Sequence, residues 1–237
     1  MFIRMMIQPA ILQKNDSIAI VSPGRKLDSE TLQAALRIIE SWGFKVRLGK
    51  NIFSTAHSYL SGSDAERLDD FQTLLDDASI KAIMCARGGY GTTRFLDKLD
   101  FSSFLKNPKW ICGFSDITAL HLKLQTLGIQ SIHGTMPVLF SKPESALSLE
   151  TLSKVLSGKP VTLEAGSNSK NKAGKVSANL VGGNLSLIVD SLGTESEVDT
   201  KNKILVIEEV DEYLYKIDRM LVQLKRAKKL HHLAGLA

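Results

Sequence analysis

The sequence predicts an α/β protein: an N-terminal, doubly wound, mostly parallel sheet followed by a smaller, incomplete α/β unit. Three observations carry that expectation. Short apolar runs bounded by glycine or proline alternate with amphipathic segments of helical period, the pattern of β-α-β units. The chain has 237 residues, 43% hydrophobic and 23% charged, enough to bury a core of the soluble globular type. The composition changes after about residue 140, and strand-helix alternation resumes after a polar stretch.

The elements follow in order. Residues 16–24, DSIAIVSPG, read as a first strand ending in a Pro-Gly turn. Residues 29–44 place Leu32, Leu36, Ile39 and Trp42 at helical spacing, with Gly43 as the stop. KVRLG is a second strand. Residues 64–77, DAERLDDFQTLLDD, form a helix capped by Asp64 and buried through Leu68, Phe71 and Leu75. IKAIMCARGGYG is a third strand running into glycines, KWICGFS a fourth, DITALHLKLQTLG a helix, and QSIHGTM a closing strand. Ligands of open parallel sheets bind beyond the carboxyl ends of the strands. The glycine-rich turns at 88–91 and 113–116 therefore share one rim. Beyond them ESALSLETLSKVLSGK reads as a helix, 166–175 as a flexible polar loop, and two strand-turn-helix units follow. The expected division is 1–140 for the first domain, 141–174 for a linker region and 175–237 for a partial second domain. The chain ends HHLAGLA, where an apolar run has just begun, which suggests a fragment of a longer protein.

Composition narrows the function classes. Net charge is +5, scattered except for Lys225-Arg226 and Lys228-Lys229. No aromatic platform interleaves that cluster, so it reads as a solvated helix face and no nucleic-acid partner is expected. Cys85 and Cys112 lie in apolar strand-like runs and read as buried small hydrophobes in a reducing compartment. The N-terminus, MFIRMMIQPA, lacks the apolar stretch of a signal peptide. No window approaches the roughly 18 to 20 apolar residues of a membrane span. A cytoplasmic location without a membrane partner is the expectation.

Three stretches carry candidate chemistry. In CGFSDITAL, Ser115 stands between a buried strand and a helix. It reads either as a helix cap, a role Asp116 could also fill, or as a nucleophile on a strand-to-helix elbow. In the second case the N–H of Asp116, in the first helical turn, is a donor for an oxyanion. The pattern departs from G-x-S-x-G, with Ile117 at the second glycine position. ARGGYGTTR, residues 86–94, could bring a second main-chain donor. It could equally cradle a phosphate with Thr92, Thr93 and Arg94, or be a tight turn. In ILVIEEVDE, alternation sends Glu208 and Glu209 to opposite faces, one toward a cleft and one toward water, and an exposed acidic strand end is the plain alternative.

YLSGSDAERLDDFQTLLDD, KAIMCARGGYGTTRFLDKLDF, GFSDITALHL, IHGTMP, LVGGNLSLIVDSLGT and LVIEEVDEYLYKIDRMLVQL together resemble the LD-carboxypeptidases, a serine peptidase family that includes the microcin C self-immunity peptidases. The likeness runs from about residue 15 to the last residue, with the blocks in family order. It implies a flavodoxin-like or glutamine-amidotransferase-like N-terminal domain, a smaller C-terminal domain, and often a homodimer. It also implies a cytoplasmic hydrolase of murein recycling, without metal or cofactor, that cuts the L,D-bond before terminal D-alanine in muropeptide tetrapeptides. By that likeness Ser115 is the nucleophile of a Ser-Glu-His triad and Glu208 its acid. The N–H of Asp116 and one from Gly88-Gly89 form the oxyanion hole. Arg87, Tyr90 and Asn184 are assigned to substrate binding. The family's histidine lies downstream of the segment present here, and none of His57, His121, His133, His231 and His232 takes its place. A peptidyl-nucleotide peptidase and a non-catalytic muropeptide-binding module are the alternative readings.

Overall fold

The computed structural model describes residues 6–237, so Met1 to Met5 of the N-terminal stretch lie outside the described residues. The first sheet is built from β1 (Ser17–Val21), β2 (Lys45–Leu48), β3 (Ile80–Cys85), β4 (Trp110–Gly113) and β5 (Ile132–His133). All pairings are parallel, in the order β2-β1-β3-β4-β5. The chain winds outward from β1 in one direction and from β3 in the other. The crevice at the carboxyl ends of β1 and β3 is thus the topological switch point, where such sheets bind ligands.

Alternation along the strands builds two cores. Ala19, Val21, Ile83, Cys85 and Ile111 face Phe71, Phe95 and Phe104. Ile18, Ile20, Ala82, Met84 and Cys112 face Leu32, Ile39 and Leu152. Helix α1 (Ser29–Ser41) buries Leu32, Ala35 and Ile39 and is capped by Asp28, which accepts from Thr31 N–H at 2.7 Å. Helix α2 (Asp64–Asp76) corrects an expectation, for its cap is Ser63 rather than Asp64. Ser63 and Glu66 satisfy each other's N–H reciprocally, which a lone carboxylate one residue later cannot do. Asp64 instead pairs with Arg67 and Arg94. At the other end of α2, buried Lys109 donates to the carbonyls of Leu74 (2.9 Å) and Leu75 (3.0 Å). The crossover from β3 to β4 holds two short helices, α3 (Thr93–Leu96) and α4 (Ser102–Lys106), too brief to show a period in sequence.

Helix α5 (Thr118–Leu127) follows β4, and α6 (Ala146–Leu156) places Leu152 and Leu156 in the core of the first sheet. Residues 166–175 are exposed and carry no helix or strand. The second sheet is β6 (Leu180–Asn184), β7 (Ile204–Glu208) and β8 (Gly235–Leu236), parallel in that order. It packs Val181 and Leu205 against Leu185 and Ile188 of α7 (Leu185–Asp190) and Leu224 of α8 (Leu214–Arg226). Leu122 of α5 joins this core, so one helix serves both sheets. The rims meet where Asn184 N–H donates to Thr118 Oγ1 at 3.0 Å. A Cβ at Gly183 would stand 2.7 Å from that same oxygen, so only glycine permits the approach.

Cys85 and Cys112 are free and buried, and burial pushes the Cys112 thiol up to about 12. Among the described residues no helix is long and apolar enough to cross a membrane.

Candidate active site

Strand β4 ends in an elbow. Phe114 is extended at φ −149°. Ser115 then adopts φ +62°, a left-handed conformation that costs a non-glycine residue about 1–3 kcal/mol. A 3-10 turn, Ser115–Ile117, leads directly into α5. The Ser115 side chain caps neither that turn nor α5. The helix-cap reading therefore fails, because Ser115 lies inside the turn rather than before it. Its hydroxyl is left available at the rim.

The glycine loop is fastened over this elbow. Gly88 O accepts from Arg25 N–H at 3.0 Å. A Cβ at Gly88 would lie 3.2 Å from Ser115 Cβ and 3.3 Å from Ser115 Oγ, so the loop main chain runs against the hydroxyl. Thr92 donates its N–H (3.0 Å) and its hydroxyl (2.7 Å) to one oxygen of the Asp116 carboxylate. Burial raises the Asp116 pKa, against the lowering effect of those bonds. The buried Arg67 guanidinium donates to Gly91 O at 2.8 Å and to Pro23 O, joining this loop to the turn after β1. Among the described residues the N–H groups of Gly88 and Gly89 find no protein acceptor. The phosphate-cradle reading loses two of its side chains: the Thr92 hydroxyl is held by Asp116, and Arg94 Nε is held by Asp64 at 2.8 Å.

A cavity of about 270 Å³ opens at the switch point, walled by Arg25, Arg87, Gly88, Gly89, Phe114 and Ser115 over Met136, Val138 and Leu139. It gathers Ser115, both loop glycines and Arg87 from the sequence-predicted set. Asp116 is buried behind the elbow. Tyr90 is 53% exposed on the loop's outer end. Asn184 is buried in the second rim, where it accepts from Leu187 N–H at 3.3 Å and donates to Glu209 Oε1 at 3.0 Å. Neither Tyr90 nor Asn184 lines the cavity.

Glu208 ends β7 opposite Asn184 in register. Its Oε1 is buried and has no hydrogen-bond partner among the described residues. Burial, then the charge of Glu209, raises the Glu208 carboxyl pKa, with the Asn184 amide opposing. Glu209 corrects the expectation of one acid facing water, for both acids are half-buried. Glu209 accepts from Ser186 N–H at 3.1 Å, from the Ser186 hydroxyl and from the Asn184 amide. Burial would raise its pKa, but these bonds together hold it below the ordinary value.

The histidines are unlike one another. His121 is buried, with Nε2 2.9 Å from Gly113 O and Nδ1 2.8 Å from Ser131 Oγ. Burial lowers its pKa to about 4. It is a neutral ring with both nitrogens engaged, Nε2–H donating to the carbonyl. His57 Nδ1 accepts from the N–H groups of Tyr59 and Leu60, both at 3.0 Å. His133 stands at the rim with its ring centre 6.1 Å from Phe114 and 5.8 Å from His121. His231 and His232 pack edge to face near the last strand. Among the described residues no group of three or more His, Cys, Asp or Glu is placed to hold a metal ion.

Sequence reasoning did not single out Arg25, Arg67 or Thr118. Arg25 had a usable signal, because it directly follows the Pro-Gly turn at the end of β1, on the rim where ligands bind.

Comparison with known proteins agrees with this architecture. Residues 18–134 match the LD-carboxypeptidase N-terminal domain and residues 177–237 the LD-carboxypeptidase C-terminal domain. The chain is 40% identical to a protein of Bacillus subtilis (strain 168) named "Probable murein peptide carboxypeptidase", over 97% of this chain and 73% of that one. It superposes on the crystal structure of muramoyltetrapeptide carboxypeptidase from Oxalobacter formigenes with a TM-score of 0.83 at 29% identity, covering 93% of this chain and 75% of the other. It superposes on an MccF-like protein from Bacillus anthracis str. Ames with a TM-score of 0.84 at 25% identity, covering 97% and 79%. Two family domains in order and a relative matched over most of its length place this chain in the LD-carboxypeptidase family, whose members are peptide hydrolases.

Proposed function

We propose that the protein is a serine carboxypeptidase that hydrolyses the L,D-bond before a terminal D-alanine in muropeptide tetrapeptides. The observation that carries this reading is Ser115 at φ +62° with the Gly88 main chain against its hydroxyl. Ser115 attacks the scissile carbonyl. The N–H of Asp116 and one from Gly88 or Gly89 receive the oxyanion, preorganised because Asp116 also fastens the loop through Thr92. Serine needs an adjacent base; by the family resemblance that base is a histidine outside the segment present here, and Glu208 is the carboxylate that orients and steadies it. Its unpartnered, buried oxygen suits that task, and the fully bonded Glu209 does not.

The carboxyl ends of the two sheets supply different parts, the nucleophile from residues 1–140 and the acid from 175–237, with 141–174 between them. The setting we infer is cytoplasmic cell-wall recycling by a homodimer. The likeness to the MccF-like protein favours a second reading, hydrolysis of a peptidyl-nucleotide at the same serine. Incubation with a disaccharide-tetrapeptide ending in D-alanine, and separately with an aminoacyl sulfamoyl nucleoside, distinguishes the two. D-alanine release supports the first, amino-acid release from the nucleoside supports the second, and binding without release of either product marks a non-catalytic muropeptide-binding protein.

A further inference from the structure

The cavity beside Ser115 is flanked by two cations. Arg25 and Arg87 both line it, and neither joins a salt bridge among the described residues. The carboxylate with most influence on Arg87, Asp28, already accepts the Thr31 N–H at the start of α1. Arg87 is half-buried, and its one side-chain hydrogen bond among the described residues is a long 3.4 Å bond to Lys26 O. Burial and the neighbouring Arg25 both act to lower its pKa. The two like charges line one cavity and repel each other, an arrangement that an anion between them relieves.

The placement of Arg25 is built. Its N–H is anchored on Gly88 O at 3.0 Å, and its guanidinium lies 5.2 Å above the centre of the Tyr59 ring. A Cβ at Gly89 would stand 2.9 Å from Arg25 Cβ and 2.9 Å from Tyr59 Oη. A Cβ at Gly88 would meet Ser115 and one at Gly89 would meet the base of the Arg25 side chain, and Arg25 and Arg87 line the same cavity as Ser115. In a substrate cut at its last bond, the terminal carboxylate carbon is three bonds from the scissile carbonyl carbon. Those bonds sum to only about 4.3 Å.

We propose that Arg25 and Arg87 receive the free α-carboxylate of the departing residue and so confine the enzyme to the last bond of a peptide. The proposal rests on the peptidase reading above. A guanidinium offers a planar fork of donors that matches a carboxylate. A C-terminal amide or a further residue at that position removes the negative charge and leaves two cations facing a neutral group.

The test is calorimetric titration in the Ser115→Ala background, where turnover does not intervene. The probes are the tetrapeptide L-Ala-γ-D-Glu-L-Lys-D-Ala as the free acid, the same peptide as its C-terminal amide, and adenosine monophosphate. The acid is expected to bind roughly 10- to 100-fold more tightly than the amide. Arg25→Gln and Arg87→Gln should each weaken the acid about tenfold and leave the amide nearly unchanged. The acid-amide comparison needs no arginine variant, so it stands even if one fails to fold. Equal binding of acid and amide overturns the carboxylate site while the peptidase reading survives. Arginine-dependent binding of adenosine monophosphate with both peptides ignored also overturns it, and assigns the pocket to phosphate. Binding of no probe overturns both this proposal and the peptidase reading.

Discussion

The two sheets end in unlike ways. At the rim of the first, three side chains behind the elbow are tied to their surroundings: Asp116 to Thr92, Arg67 to Gly91 and Pro23 with its Nε left without a partner among the described residues, and His121 to Gly113 and Ser131. These bonds surround Ser115, which lines the cavity in its left-handed conformation together with Gly88 and Gly89. At the rim of the second, two adjacent glutamates divide the roles. Glu209 is saturated by Ser186 and Asn184, and Glu208 keeps a buried oxygen without a partner. The difference teaches that adjacent residues of one type are separated by their partners: Glu209 is tied into the joint between the rims, and Glu208 keeps an oxygen with no partner among the described residues.

Substitutions at the second rim break or sharpen this contrast. The largest expected effect is on rate: Glu208→Gln should lower kcat about 10³- to 10⁴-fold, as loss of an orienting carboxylate does, without lowering the melting temperature. A drop of only a few-fold in steady-state D-alanine release would remove Glu208 from the machinery. Next comes Gly183→Ala, which places a Cβ 2.7 Å from Thr118 Oγ1 at φ +136°. It should cost about 2–4 kcal/mol in urea unfolding and loosen the joint between the rims. Glu209→Gln should cost about 1–2 kcal/mol, because charge-assisted bonds from Ser186 become neutral ones, with a much smaller effect on kcat than Glu208→Gln.

The smallest effect is the pH dependence, and its sign differs between the two acids. The Glu209 pKa is lowered below 4.5, so its stabilisation is present above pH 4.5 and is lost as pH falls through the folded value. The Glu208 pKa is raised above 4.5, so its ionisation weakens the fold as pH rises through the folded value, and that cost is absent below pH 4.5. Glu208→Gln should therefore be at least as stable as wild type at neutral pH, with the difference vanishing in acid. Urea titrations from pH 4 to 8 check this, and a parallel pH dependence in the two variants would contradict it.

The sheet, its long helices and the shared rim were legible because periods of two and 3.6 are written in residue order. Helices α3 and α4 were not, since four or five residues show no period. The α2 cap was misread because Ser63 and Asp64 are both good caps and only the Glu66 partner separates them. For Ser115, residue type could not exclude a cap, because that is decided by a backbone angle and the absence of a capping bond. The partners of Glu209 stand 23 and 25 residues away in sequence, so its bonded state is a product of tertiary pairing. Arg25 looks like any surface arginine until the switch point sets it beside Arg87 and Ser115.

The most direct measurement compares wild type with Ser115→Ala, both in the full-length protein that carries the triad histidine, for D-alanine release from a tetrapeptide, with melting temperatures recorded on the same samples. The account predicts loss of nearly all turnover, by several orders of magnitude, with the melting temperature almost unchanged, because the hydroxyl caps nothing. Retained D-alanine release together with a lowered melting temperature would contradict it and return Ser115 to a structural role.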